Sequence, residues 1–246
     1  MFRSSNPTLS AATIRGVRGY TGENAMTVQG VINKSAILLL LAFFTASWMW
    51  KKFLSSPEAA LGFLILGLFA GFIIALVTVF KKDWARVTAP IYALLEGLVL
   101  GGITVMFEKS YPGIAYQAIT LTFAVFASLL IAYKSGLIKV TNKMRLGIVA
   151  ATGGIALFYF IAMILGFFGV GVPLINSASP LGIGFSIVVV IIASLNLVLD
   201  FDFIANSAKA GMPKYMEWYA AFGLLVTLVW LYIEILRLLS KLRRRR

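Results

Sequence analysis

The residues able to do chemistry in this chain are carboxylates set within apolar sequence. Asp200 and Asp202 end a long apolar run that starts near Leu181, and Asn196 lies four residues before Asp200. This spacing puts Asn196 and Asp200 on one helical face, whereas Asp200 and Asp202 point in different directions. A charged aspartate in hydrocarbon costs several kcal/mol, so an acid at this position indicates a functional site.

A second interpretation puts both aspartates just outside the apolar core, in the headgroup zone, where they would cap a helix or be solvated. The residues that follow them, Phe201, Phe203 and Ile204, continue the apolar pattern past both acids. This continuation favours the buried interpretation.

Two other acids also interrupt apolar runs. Glu96 lies near the middle of one run, and we expect it to face other helices or a wet cavity, because a glutamate facing lipid is costly. Glu234 is followed three residues later by Arg237, a spacing that allows a local ion pair, and a role in the helix core is the alternative. Calcium prefers carboxylate and carbonyl oxygens, so Asp200 and Asp202 are the candidate metal ligands.

Histidine and cysteine are both absent. Their absence excludes Ser-His and Cys-His catalysis and cysteine metal sites, and it leaves any proton sensing to carboxylates. Two carboxylates in contact in a low dielectric cannot both ionise easily, so such a pair would switch with pH. Intramembrane aspartyl proteases also use two membrane carboxylates, but no Tyr-Asp or Gly-Asp pair occurs here. We therefore predict that the chain is not an enzyme and holds no cofactor, with calcium entering only as a permeant ion.

Composition identifies a membrane protein. Hydrophobic residues make up 60% of the 246 residues, and the mean hydropathy is +0.93. A transmembrane helix needs roughly 20 apolar residues, so the sequence predicts an all-α polytopic membrane protein with seven transmembrane helices. The predicted spans are 35–50, 59–80, 87–107, 111–133, 146–168, 181–204 and 218–239.

Charged segments flank this apolar region. We predict a polar, basic N-terminal tail at 1–34, a transmembrane domain at 35–240 and a basic C-terminal tail at 241–246. The net charge of +13 indicates contact with anionic lipid and not with nucleic acid. The run Arg243 to Arg246 should bind anionic headgroups, at roughly 1 kcal/mol per basic residue.

Lysine and arginine counts predict the orientation. Thirteen lie on the N-terminal side of seven spans and three on the opposite side, which predicts a cytoplasmic N-terminus. Six more lie in the C-terminal segment and contradict this rule, so either that tail is exported or the last segment does not cross fully.

Several stretches together resemble one family. They are the acid-bearing end of the sixth span at 199–204, the N-terminal residues 3–7, the third-span stretch 92–97, and the last-span stretches 217–219 and 230–234. The chain resembles the Bax inhibitor (transmembrane Bax-inhibitor-motif) family, in its branch of uncharacterised bacterial membrane proteins. The resemblance covers nearly the whole chain.

The resemblance implies six helices around a central seventh, and a pH-sensitive calcium leak. It also implies that a span-six carboxylate, here Asp200, pairs with a span-seven aspartate, and that a basic residue ending span two, here Lys81 or Lys82, engages the pair. The span-seven aspartate has no clear match, because its place falls near Thr227. Asp202, Glu217 or Glu234 would then supply the second acid.

We therefore expect a pH-sensitive, passive cation (calcium) channel in a bacterial inner membrane, with Asp200, Asp202, Glu96, Glu234 and Asn196 as sensor and pathway residues. The alternative is a non-conducting membrane protein that binds and modulates other membrane proteins, such as a quality-control protease.

Overall fold

The computed structural model describes residues 24–245, and within them it contains helices and no strands. Seven of the helices are long and apolar enough to cross a membrane, which confirms the predicted number. We number them α1 to α7: Val28–Ser55, Pro57–Phe80, Ala85–Ser110, Ile114–Lys134, Asn142–Phe167, Pro180–Lys209 and Met216–Arg244. A 3₁₀ turn at Lys82–Trp84 precedes α3, and a short helix at Pro173–Asn176 precedes α6.

The helices extend beyond the predicted apolar spans. α1 begins at Val28, seven residues before the predicted span, because the Thr27 hydroxyl accepts a hydrogen bond from the Gly30 amide and caps the helix. The predicted tail at 1–34 therefore includes the first turns of α1, and its residues 1–23 lie outside the described part of the chain. At the other end, α7 continues to Arg244, so most of the predicted tail at 241–246 is helical.

Glycines set the close packing of α3 against its neighbours. A Cβ added at Gly97 would lie 2.3 Å from the Ala42 carbonyl oxygen, and one at Gly101 would lie 2.5 Å from that of Ala46. On the opposite side, a Cβ at Gly67 of α2 would lie 2.9 Å from the Leu95 carbonyl oxygen. The backbones of α1, α2 and α3 thus approach as closely as glycine permits, the usual packing device between membrane helices.

α7 is the most buried of the seven helices. It packs mainly against α1, α3, α4 and α6. The arrangement of six helices around a central seventh is not confirmed, since α2 packs mainly on α1 and α3. α5 packs on α6 and leaves most of its own surface exposed.

The chain just before α1 is fixed to the α6–α7 loop. The Met26 amide donates to the Met212 carbonyl at 2.7 Å, and the Lys214 amide donates to the Asn24 carbonyl at 3.0 Å. Between them, Ala25 and Pro213 form an isolated antiparallel bridge. The first and last spans therefore begin side by side at one end of the bundle.

Candidate functional site

Asp200 lies on α6 and faces the interior of the bundle. It is nine residues from the end of the helix at Lys209, which is about 14 Å along the axis. Its Oδ2 atom is inaccessible to solvent and has no hydrogen-bond partner among residues 24–245. Buried polar atoms are nearly always paired, so this unpaired carboxyl oxygen makes Asp200 a candidate functional residue.

The group opposite Asp200 is Thr227 of α7. The Thr227 hydroxyl donates to the Gly223 carbonyl at 3.2 Å, one turn earlier on α7. A Cβ at Gly223 would meet no atom within 4 Å, so open space adjoins this turn of α7. Thr227 thus occupies the place that the resemblance assigns to a second aspartate.

Three polar residues of α5 connect it to the acid-bearing helices. They are Arg145, Thr152 and Tyr159, spaced seven residues apart, and this spacing puts them on one face of α5. Arg145 binds Asp202, the Thr152 hydroxyl accepts from the Asn196 amide at 2.8 Å, and the Tyr159 hydroxyl reaches Glu234. Sequence reasoning missed this row, although polar residues at i, i+7 and i+14 in an apolar helix were the available signal.

Asp202 has partners of its own and does not form a carboxylate pair with Asp200. Its Oδ2 atom forms an ion pair with Arg145 at 2.6 Å, and the Tyr133 hydroxyl lies 3.5 Å from Oδ1. This agrees with the two-residue spacing, which turns the aspartates in different directions. The described residues include no cluster of three or more acids, so a calcium ion at Asp200 would need backbone, hydroxyl or water oxygens as further ligands.

Glu234 is buried, with 1% of its surface exposed, and it forms the local ion pair that its spacing allows. Arg237 Nη1 lies 2.9 Å from Glu234 Oε1, and the Tyr159 hydroxyl donates to the same oxygen at 3.0 Å. Arg237 also contacts Tyr159, donating to its hydroxyl at 2.5 Å. Glu234 is thus both ion-paired and part of the core.

Glu96 is half-buried on α3 and faces α2. A Cβ at Gly71 of α2 would lie 4.0 Å from Glu96 Oε2, and Tyr92 neighbours the same carboxyl from one turn earlier on α3. Tyr92 itself is 6% exposed and packs edge-on against Phe222 of α7. Glu96 therefore lies on α3 against α2, one turn from the contact of Tyr92 with α7.

The candidate gate partners lie at the end of the bundle where α7 begins. The Lys82 ammonium lies 5.3 Å from the centroid of the Tyr219 ring, and Lys82 begins the single turn of 3₁₀ helix after α2. Glu217 is fully buried and accepts hydrogen bonds from the amide and hydroxyl of Thr27, both at 2.9 Å. It also forms ion pairs with Lys34 and Lys214. Among the described residues, no hydrogen bond or ion pair joins Lys81, Lys82 or Glu217 to Asp200.

At the opposite end of α7, basic residues also form hydrogen bonds with other parts of the chain. Lys241 is 3% exposed, and its ammonium donates to Ser186 Oγ at 2.8 Å and to the carbonyl oxygens of Gly182 and Leu174 at 2.9 and 3.2 Å. Arg243 donates to the Pro112 carbonyl at 2.6 Å. The predicted C-terminal tail therefore begins inside the bundle, because the ammonium of Lys241 finds three neutral oxygens there.

Taken together, polar groups follow the α5–α6–α7 side of the bundle from one end to the other. Asp202 and Arg145 lie at one end, Asp200 and Asn196 lie further in, and Glu234 and then Lys241 lie towards the opposite end. A row of oxygens through an apolar bundle provides hard ligands and proton carriers at successive depths.

Comparison with known proteins agrees with this architecture. A family model described as Bax inhibitor 1 like matches residues 6–244, which include all seven spans. No curated protein and no solved structure matches the chain. Because the match covers nearly the whole sequence, this chain belongs to the Bax inhibitor 1 like family.

Proposed function

We propose that this protein is a passive cation leak for calcium, modulated by pH through the Asp200 carboxyl. The observation that carries the proposal is the buried Asp200 Oδ2 atom without a hydrogen-bond partner among the described residues. Asp202, Glu217 and Glu234 all face a lysine or arginine, whereas Asp200 faces the neutral hydroxyl of Thr227. An acid without a counter-ion is free to take up either a proton or a cation.

The chemistry of the site supports both parts of the proposal. Calcium binds hard oxygen ligands, and an ionised Asp200 supplies one inside the bundle. Protonation removes the charge and with it the attraction for the cation. The chain contains no histidine, so a switch near neutral pH has to be a carboxyl whose surroundings differ from water.

The direct test is calcium flux into proteoliposomes that contain only the purified protein. A leak channel should admit calcium without a partner protein, and its flux should depend on pH. Empty liposomes, and liposomes with an unrelated seven-helix protein, serve as controls. Absence of flux above these controls at every pH would reject the proposal.

The first prediction is that Asp200→Asn flattens the pH dependence of flux between about pH 6 and 8, where an unperturbed aspartate does not titrate. The amide keeps the volume of the side chain but removes both the charge and the proton. Asp202→Asn is the matched control, and it should keep the wild-type pH profile because Asp202 is already paired with Arg145. If Asp200→Asn keeps the wild-type pH profile, Asp200 is not the sensor, and Glu96 or Glu234 becomes the candidate.

We also propose that the protein lies in a bacterial inner membrane with its N-terminus in the cytoplasm. Support comes from the excess of lysine and arginine at the loops on the N-terminal side. Because α7 is one continuous helix, the basic C-terminal residues lie at the opposite end of the bundle.

One observation favours the alternative function, a non-conducting protein that modulates a membrane partner such as a quality-control protease. α5 leaves a strip of small residues open, at Gly147, Ala150 and Gly154, and no atom lies within 4 Å of a Cβ placed at either glycine. Small residues let a second membrane helix approach closely. A modulator would give no flux as pure protein and would lose its partner when Gly154 is replaced by leucine.

A further inference from the structure

A lateral cavity opens between α1 and α4, on the side of the bundle away from Asp200. Both helices pack on α7, and α3 and α7 form the floor of the gap between them. The cavity has a volume of about 580 Å³. This volume is within the range of sites that hold small organic ligands.

The lining of the cavity is almost wholly apolar. Leu39 and Phe43 of α1 face Ile119 and Phe123 of α4, with Leu225 of α7 and Leu100 of α3 beneath them. Three of the four hydroxyl groups in the lining are already paired, and the fourth, that of Ser47, lies about one helical turn from Lys51, towards the surface end. Thr104 and Tyr232 bond to one another at 2.9 Å, and Thr122 donates to the Ala118 carbonyl at 2.7 Å. No polar group in the depth of the cavity requires a polar ligand, so an alkyl chain fits its chemistry.

The dimensions match one leaflet of a bilayer. The lining on α1 runs from Leu39 to Lys51, which is about 18 Å along a helix. Half of the hydrocarbon core is about 15 Å thick. The cavity therefore extends from near the bilayer midplane to the membrane surface at the end of α1, and it is open sideways to lipid.

The surface end of the cavity is basic. Lys51 lines it directly and is exposed, and Lys52 is the next residue of α1. Lys109 also lies at this end of the bundle, with its ammonium 4.9 Å from the centroid of the Phe53 ring. The neighbouring acid, Glu108, already accepts hydrogen bonds from the amides of Gly113 and Ala115, at 2.5 and 2.9 Å. An anionic group at the surface end is therefore attracted by lysine.

We propose that this cavity binds one phospholipid with an anionic headgroup, with an acyl chain between α1 and α4 and the phosphate at Lys51. The apolar depth takes the chain, the length fits a chain in one leaflet, and the basic end selects the headgroup charge. The proposal concerns a different side of the bundle from the proposed cation pathway and does not depend on that function.

Native mass spectrometry of the full chain, from nanodiscs of equal phosphatidylglycerol and phosphatidylcholine, tests the site. Wild-type protein should retain one phosphatidylglycerol. Thr122→Phe should lose it by filling the cavity, whereas Thr122→Val should keep it, because valine preserves the open volume and removes only a hydroxyl already bonded to its own helix. Lys51→Gln should lower the preference for phosphatidylglycerol about fivefold, the effect of roughly one basic residue at a membrane surface.

Fluorescence supplies a second measurement that leaves the cavity intact. Trp50 lines the cavity, and replacing the other four tryptophans by phenylalanine makes it the only emitter. Brominated phosphatidylglycerol at low mole fraction should quench Trp50 more strongly than brominated phosphatidylcholine does. Equal quenching by the two lipids, retention of no lipid by wild type, or a stable dimer that excludes lipid from the cavity would each overturn the proposal.

Discussion

The acids of the spans differ in the groups that they face. Asp202, Glu217 and Glu234 each contact a lysine or arginine, whereas Asp200 and Glu96 face only hydroxyl groups, those of Thr227 and Tyr92. A paired carboxylate gains little by binding a proton or a cation, because its charge is already balanced. The two acids that face hydroxyls are therefore the ones whose charge state can change, and Asp200 is the one with a buried unpaired oxygen.

Replacing the residue opposite Asp200 tests this assignment. Thr227→Asp should move the midpoint of the flux–pH profile to higher pH, since two adjacent carboxylates in a low dielectric cannot both ionise easily. Thr227→Asn is the matched control, equally polar but without a second charge, and it should leave the midpoint near that of wild type. Calcium flux from proteoliposomes at several pH values measures both. An unchanged midpoint in Thr227→Asp would mean that Asp200 is not the titrating group.

The ion pairs of the bundle should differ in their contribution to stability. Arg237→Met leaves Glu234, 2% exposed at its side chain, without its cation, and should cost about 2 kcal/mol or more. Arg145→Met removes the same charge from a pair whose arginine is 52% exposed, and should cost at most about 1 kcal/mol. Thermal unfolding in detergent compares the two. Equal melting temperatures would show that the Glu234 carboxyl does not need its cation.

Among the helices, α5 is exceptional because it is held by side chains more than by close packing. Its polar contacts come from Arg145, Thr152 and Tyr159, one every two turns, and the rest of its surface is largely exposed. α1 and α3, by contrast, are in backbone contact through Gly97 and Gly101. Motion of α5 relative to the bundle therefore breaks a few hydrogen bonds and ion pairs, whereas motion of α1 disrupts close packing.

Gly97→Ala should lower the melting temperature. The added methyl group would lie 2.3 Å from a backbone oxygen of α1, and forcing extra volume into a packed interface costs about 1–3 kcal/mol. Gly154→Ala on α5 adds the same group where nothing lies within 4 Å. It should be neutral or stabilising by up to about 1 kcal/mol, since alanine favours the helix over glycine. A Gly97→Ala protein as stable as Gly154→Ala would show that α1 and α3 are not in backbone contact.

The spans were predictable because each is a long apolar run. The position near Thr227 came only from the family resemblance, which implies an aspartate there, and not from the residues themselves. The direction of each polar side chain was not predictable, because every face of a membrane helix is apolar and hydropathy does not distinguish lipid from protein. Lys241 illustrates this: the sequence predicts that it begins a basic C-terminal tail, yet its ammonium is buried among oxygens of α6 and the chain before it. The row on α5 differs, because its seven-residue spacing puts three polar residues on one face, and only their partners on α6 and α7 were not predictable.

For the whole molecule, seven helices are long and apolar enough to cross a membrane, and we propose that the two ends of the described chain lie on opposite sides of it. A cysteine added after Arg246 should react with an impermeant maleimide in intact cells, and one placed at Ser4 should react only after lysis. The chain has no cysteine of its own, so the labelling has no background. Reaction of both cysteines from the same side would mean that α7 does not cross the membrane.

The contact between the chain before α1 and the loop before α7 also bears on biosynthesis. Thr27, which caps α1, is held by Glu217, and these residues are 190 positions apart in the sequence. While the ribosome is still making the middle spans, the N-terminal end of α1 has no Glu217, no Met212 carbonyl and no Pro213 to bind. This end of the bundle can close only after the last helix has entered the membrane, so a chain stalled before residue 212 presents the N-terminal end of α1 without its partners to the proteases that remove incomplete membrane proteins.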